Sequence, residues 1–325
     1  MNSTEAMMQT PARNIAVLTD FSPCSSSALS HAIRVATFSD AKIFLIHALE
    51  PWRYAYYPDE GEMEHQLCDR ARSNMLREEE KLSEVRHETI VEQGRLWDVL
   101  RRVIESKHIE LIVLGTIGMV EFHNDEVLGS TAQQVIRQAP CPVLSVGSEV
   151  VVNDSFPNFT HILFPTDLSG SAQNAVSSAA WLAKRHRAHL ALMHVVRAHK
   201  PPQSDEAEWL KQPYRGRLGD MTRQSPALSY PPECLVEFAE IPANAILKAA
   251  QELPADLIVM RTVRRNHACS SGRVHSSLQI LLQAPCPVLT IPESDGSHTA
   301  NHVGAQRDGF YVGQPEAFWP SAYAR

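Results

Sequence analysis

No run of about twenty apolar residues occurs in this 325-residue chain, and the longest, around Leu111–Val120, reaches about ten. A bilayer-spanning helix needs about twenty, so no membrane span is expected. The first ten residues, MNSTEAMMQT, lack a basic stretch and an apolar core, so no secretory leader is expected. The six cysteines (Cys24, Cys68, Cys141, Cys234, Cys269, Cys286) contain no CxxC pair. That removes the zinc and dithiol-redox readings and leaves reduced thiols in a cytoplasm as the expectation. Basic residues are the scarcer charge, 30 against 37 acidic, for a net charge of -7. A chain that held nucleic acid by general electrostatics would carry the opposite balance. The P-loop lysine of many ATPases is also missing.

What is present is an ordinary globular mixture, 44% hydrophobic and 21% charged, long enough for two domains of common size. One stretch organises it. Leu111–Leu114 is a short apolar run ending at Gly115, with Gly118 close behind. A ten-residue loop, Met119 to Leu128, leads to Gly129-Ser130-Thr131, which opens a helix. Ala139-Pro140-Cys141-Pro142 then introduces another apolar run, Val143–Val146. Glycines at a strand end permit close backbone approach. Free N–H groups and the dipole at a helix N-terminus attract phosphate. The stretch therefore reads as half of a phosphate site, with hydroxyls from Ser130 and Thr131.

The layout recurs. Leu257–Met260 matches the first apolar run, and Ala284-Pro285-Cys286-Pro287 matches the second lead-in. Between them the glycines are gone: Arg261 and Arg264 stand for Gly115 and Gly118, Val274 for Gly129, and His275-Ser276 for Ser130-Thr131. Arg261, Arg264, Arg265 and Arg273 form either a solvated basic loop or a side-chain grip on an anion. Cys141 and Cys286, each between two prolines, read as small apolar fillers.

Along the chain, Asn14–Thr19 reads as a buried strand. Ser22 as N-cap with Pro23 at the first helical position predicts a helix start. Lys42–Ala48 is the second strand, Glu88–Glu92 the third, and Leu111 starts the fourth. A charged helix spans about Glu62 to Ser83, after an aromatic turn holding Trp52 and Tyr54, and a second helix spans Trp97–Ser106. His161–Thr166, Leu190–Val195, Cys234–Ala239 and Asp256–Met260 repeat the four strands, and Ala243–Glu252 is a helix. Val196–Pro232, rich in Pro, Arg and Gly, is less clearly helical. Asp20 to Asp167 spans 147 residues and Cys141 to Cys286 spans 145. Alternating strands and helices imply a parallel sheet with helices on both faces. The expected division is a flexible N-terminus (1–12), a first domain (13–149), a linker (150–159), a second domain (160–293) and a disordered tail (294–325).

Both halves resemble universal stress protein domains. The matching features are Thr19-Asp20 and Thr166-Asp167 closing the first strands, His47-Ala48 and His194-Val195 closing the second, and the Gly-x2-Gly…Gly-Ser loop. The most specific is Ala-Pro-Cys-Pro-Val-Leu, which occurs twice. The resemblance implies an α/β fold of two tandem domains, each a five-stranded parallel sheet of order 3-2-1-4-5. It implies that the two fifth strands pair antiparallel, packing the halves as a pseudo-symmetric dimer. For nucleotide-binding members it implies an adenosine site at Asp20 and the Ala48 backbone. Phosphates would lie on Gly115, Gly118, Gly129, Ser130 and Thr131. The ligand would be ATP or another adenine nucleotide, with or without Mg2+. His47 and His194 read as packed residues.

The family loop usually has nine residues where this chain has ten, and Glu121, Asp125 and Glu126 lie within it. Carboxylates near a polyphosphate repel it by about 1 kcal/mol per close pair at high screening. Two readings of the first loop therefore stand, a nucleotide site and a glycine-stabilised turn that has lost its ligand. The functions that follow are a non-catalytic nucleotide-binding regulator with an unknown protein partner, a slow ATPase using the same loop, and a nucleotide-free interaction scaffold.

Overall fold

The computed structural model describes residues 11–50, 60–118, 128–150, 159–200, 202, 204–223, 228–261 and 276–292. The aromatic turn at Trp52, the loop carrying Glu121, Asp125 and Glu126, and the tail lie outside the described residues, as do Arg264, Arg265, Arg273, Val274 and His275.

Among the described residues, ten strands form one sheet. The first half supplies β1 (Asn14–Leu18), β2 (Lys42–Leu49), β3 (His87–Gln93), β4 (Leu111–Gly115) and β5 (Val143–Val146). The second supplies β6 (His161–Pro165), β7 (His189–Arg197), β8 (Glu233–Ala239), β9 (Leu257–Arg261) and β10 (Val288–Ile291). The order is β3-β2-β1-β4-β5-β10-β9-β6-β7-β8, so each half has the order 3-2-1-4-5. Every pairing within a half is parallel. The halves join where β5 and β10 pair antiparallel, with Leu144 opposite Leu289.

Alternation along the strands divides the core between the two faces. Ile15 and Val17 of β1 point to one face, Ala16 and Leu18 to the other. The first face is covered by α1 (Pro23–Ser39), α2 (Glu60–Glu80), α5 (Gln173–His186) and α6 (Ser204–Met221), through residues such as Leu29, Met75, Val176 and Leu218. The second is covered by α3 (Leu96–Lys107), α4 (Ser130–Gln138), α7 (Pro242–Glu252) and α8 (Ser276–Gln283), through Leu100, Val135, Ile246 and Ile280. Each cluster contains residues of both halves, so both cores run through the β5–β10 seam.

Local chemistry starts and stops the helices that matter for the site. Ser22 has extended backbone and its hydroxyl accepts from Ser25 N at 3.1 Å, with Pro23 next. This is an N-cap, whose loss costs about 1 kcal/mol. Asp40 ends α1 in the left-handed region, its N–H donating to Ala36 O. At α4 the N-cap is Gly129, and no side chain among the described residues caps it. Its first-turn N–H groups are thus left for something else.

The segment after β7 departs from expectation, because α6 is an 18-residue helix despite Pro213 in its interior. Tertiary packing outweighs propensity there. Leu218 is fully buried, and Tyr214 stacks on His194 at 5.1 Å.

Candidate functional site

In an open parallel sheet, ligands favour the carboxyl edge where strand order reverses. Here β1 lies between β2 and β4, so the chain leaves β1 and β4 toward opposite flanks. The residues at those strand ends come together.

Leu18 ends β1, Thr19 N donates to Ile46 O, and the chain turns at Asp20. Asp20 Oδ1 accepts from Ser22 N at 3.0 Å, closing an Asx turn. Phe21 between them has φ 64°, a left-handed conformation that is costly for a bulky residue. The second half repeats the device, with Leu168 at φ 59° and Asp167 Oδ1 accepting from Ser169 N at 2.9 Å. One Asp20 oxygen therefore builds the turn. The other, Oδ2, lies 2.9 Å from where a Cβ on Gly118 would stand.

The three glycines play different parts. A Cβ at Gly115 would lie 2.9 Å from Cys24 C and from Ser25 N, backbone atoms of the first turn of α1. Glycine lets strand end and helix start touch there. At Gly118 the obstacle would be the Asp20 carboxylate, whereas at Gly129 the nearest atom, Thr116 O, would be at an ordinary 3.4 Å. Gly129 N donates to that same Thr116 O at 3.0 Å, tying the start of α4 to the end of β4. Gly118 and Ser130 are exposed, and Asp20, Ala48, Gly115, Gly129 and Thr131 are half-buried. Ala48 sits near the end of β2, opposite Glu92 of β3.

Several neighbours escaped the reading of the sequence as site residues. Thr19 is buried, its hydroxyl accepting from Phe21 N at 3.1 Å and lying 3.3 Å from Ser25 Oγ. The Phe21 ring lies 4.4 Å from the His47 imidazole. Thr116, fully buried just beyond β4, has a hydroxyl with no partner among the described residues. For Thr19 the signal was available, since the Thr-Asp pair recurs at Thr166-Asp167. The sequence carries no signal for Thr116.

His47 Nδ1 lies 2.8 Å from Thr19 O, and His194 Nδ1 lies 2.9 Å from Thr166 O. A carbonyl can only accept, so Nδ1 carries the proton in both. Burial lowers the pKa of each ring, opposed by its carbonyl partner and the nearby aspartate. Carbonyl-anchored and each in contact with an aromatic ring, both histidines are packing residues, in agreement with the sequence.

The second half is built differently at the matching edge. Arg261 Nη2 lies 3.7 Å from Asp167 Oδ2, with the two side chains only 15% and 17% exposed. The sequence offered Arg261 as part of a solvated basic loop or an anion grip, and the structure corrects this. The arginine closes β9 and pairs inward with the counterpart of Asp20. Where Gly115 admits the α-helical turn at Cys24 and Ser25, the corresponding Gly170–Ala172 is a 3₁₀ turn and α5 begins only at Gln173.

Among the described residues no group of three or more His, Cys, Asp or Glu side chains could hold a metal, and no helix is long and apolar enough to cross a membrane.

A family model described as "Universal stress protein family" matches residues 11–147 and 158–292. A universal stress protein of Methanocaldococcus jannaschii is 32% identical over 139 residues, 41% of this chain and 81% of the relative. One from Synechocystis sp. is 31% identical over 137 residues, 41% of this chain and 86% of the relative. Two solved structures match nearly the whole length. A functionally unknown protein of Pseudomonas aeruginosa has a TM-score of 0.57 at 17% identity, covering 90% of this chain and 95% of its own. A universal stress protein from Archaeoglobus fulgidus has a TM-score of 0.53 at 18% identity, covering 86% and 98%. At these identities the structures speak for the fold.

Proposed function

The chain belongs to the universal stress protein family, as two tandem copies, and from that premise we propose that its first half is a non-catalytic receptor for an adenine nucleotide. One observation carries the reading. Gly115, Gly118 and Gly129 gather at the carboxyl edge of β4 beside Asp20, with the first turn of α4 lacking a side-chain cap among the described residues. That arrangement suits an anion, because a helix N-terminus offers aligned N–H donors and a positive dipole end. Exposed Gly118 leaves the approach to those donors unobstructed by a side chain. Thr116, with a buried hydroxyl that has no partner among the described residues, adds an unmet polar group at the same strand edge.

In this reading Asp20 and the Ala48 backbone take the adenosine end, and Gly115, Gly118, Gly129, Ser130 and Thr131 take the phosphates. Any Mg2+ arrives on the phosphates, since the described residues hold no ready metal cluster. The bound nucleotide changes the surface beside Gly118 and Gly129, and a protein partner reads that change. The second half, with Arg261 on Asp167, acts as a structural or regulatory partner.

Equilibrium dialysis with labelled ATP tests this. Retention of one nucleotide per chain, lost in Gly129→Arg, is the expected result. Equal retention by both proteins ends the proposal, and no retention by either leaves the interaction scaffold. Phosphate release that scales with protein and vanishes in Gly115 variants would make the protein a slow ATPase instead.

A further inference from the structure

A cavity of about 370 Å³ lies between the two halves, and none of the seven candidate nucleotide residues lines it. Its size falls in the range of small-molecule sites. Its walls come largely from the C-terminal halves of α1 and α5 and from the strand seam. Val35, Leu144, Leu182 and Leu289 make it apolar.

Polar groups are set into those walls. His31 is 8% exposed, and its Nε2 has no hydrogen-bond partner among the described residues. A buried nitrogen left without a partner is unfavourable and normally finds protein or water. Arg34 lies close enough to His31 to act on its charge. From the other half, the Arg185 guanidinium lies over the Phe38 ring at 4.8 Å and near Trp181 at 5.7 Å. His186 stacks on the other partner of that contact, with its ring 4.4 Å from Phe38.

Two carboxylates also reach the wall, but the backbone already engages them. Glu110 accepts from Arg13 N at 2.5 Å, and Asp256 accepts from Thr160 N at 2.6 Å and His161 N at 3.2 Å. The repeat makes the asymmetry visible. The 147-residue offset of Asp20 and Asp167 maps Arg34 onto Trp181 and Phe38 onto Arg185. Each helix thus contributes one arginine and one ring in exchanged order, and the Arg185–Phe38 contact crosses the seam.

We infer that this cavity is a second ligand site, taking a small amphipathic anion, an aromatic or branched aliphatic carboxylate. The apolar body lies against the aliphatic wall and the rings of Phe38 and Trp181. The carboxylate meets the guanidiniums of Arg34 and Arg185. This site is independent of the nucleotide reading.

Isothermal titration of the full chain with 2-naphthoate, and with neutral 2-naphthamide as control, tests it. Saturable binding of one naphthoate per chain is expected, with naphthamide at least about tenfold weaker, the loss of one charge-assisted contact. Arg185→Gln, at an exposed position, should weaken naphthoate by about tenfold without changing the fold. Leu182→Trp should fill the cavity and abolish binding, while Gly129→Arg leaves it intact. The absence of saturable binding, equal affinity for the two compounds, or an unchanged Arg185→Gln each overturns the assignment. So does undiminished binding by a folded Leu182→Trp protein.

Discussion

Arg261 Nη2 approaches Asp167 Oδ2 to 3.7 Å at the same strand edge where the first half has Gly115 and Asp20. The aspartate and its Asx turn are present in both halves. What differs is the companion. A glycine leaves Asp20 facing Gly118, whereas an arginine brings its own cation to Asp167. A double-mutant cycle with Arg261→Gln and Asp167→Asn, followed by urea unfolding, should give a coupling of about 1 kcal/mol. Zero coupling would mean that the two side chains are merely neighbours.

Acid should destabilise the protein through its buried histidines. Burial, and secondarily Arg34, pushes the His31 pKa down to about 4 from 6.5, and burial with Arg185 does the same to His186. Above pH 6.5 both rings are neutral in folded and unfolded chains, and stability is complete. Between 6.5 and about 4 the unfolded chain takes up protons that the folded chain refuses, so stability falls as pH falls. For His31, 8% exposed, the full loss is about 3 kcal/mol. Glu88, with its pKa lowered by hydrogen bonds to Lys107 and Lys42, adds a loss of the same sign at lower pH. Urea midpoints at pH 7.5 and 5.0 should differ, and His31→Leu should narrow the gap. An unaltered gap would remove His31 from the account.

The architecture was legible because buried parallel strands read as continuous apolar runs. Leu111–Leu114 and Val143–Val146 were found almost to the residue, and Ala-Pro-Cys-Pro marked the seam strands twice. Helix α6 was not legible, because Pro213, Gly216 and Gly219 argue against it locally, while Leu218, Tyr214 and Met221, packed on the sheet-side core, sustain it. Nor were Phe21 and Leu168 at positive φ, since nothing in a bulky side chain announces a left-handed backbone. At the site, sequence located Gly118 and Gly129 beside one another but could not distinguish the Cys24 backbone as the reason for Gly115. Arg261 was read as a loop cation because its aspartate partner lies far away in the chain. The cavity walls come largely from two helices, one in each half, and from the strand seam between them, so no single stretch of sequence announces the site.

Native thiols should divide sharply in reactivity. Burial pushes Cys141 and Cys286 up to about 12, so neither supplies thiolate near neutral pH. Cys68 is half-exposed. Brief iodoacetamide treatment at pH 8, read peptide by peptide in a mass spectrometer, should modify Cys68 while sparing Cys141 and Cys286. Full labelling of all three should require urea. Rapid modification of Cys141 in the native protein would contradict its role as a filler behind β5.

The glycines should separate stability from binding. A methyl at position 115 meets backbone at 2.9 Å on α1, and backbone cannot rotate away as a side chain can. Gly115→Ala should therefore lose about 1–3 kcal/mol. At 118 the methyl meets, among the described residues, only the Asp20 Oδ2 oxygen. That carboxylate can shift at the expense of its position in the site, so Gly118→Ala should lose under about 1 kcal/mol yet weaken nucleotide retention. Gly129→Ala meets Thr116 O at a normal distance and gives up a little N-cap preference, again under about 1 kcal/mol. Urea midpoints and ATP dialysis on the three variants give both readouts. Equal stability losses at all three positions would mean that the glycines serve the turn alone. A stable Gly118→Ala protein with diminished retention would tie the exposed glycine to the ligand through Asp20.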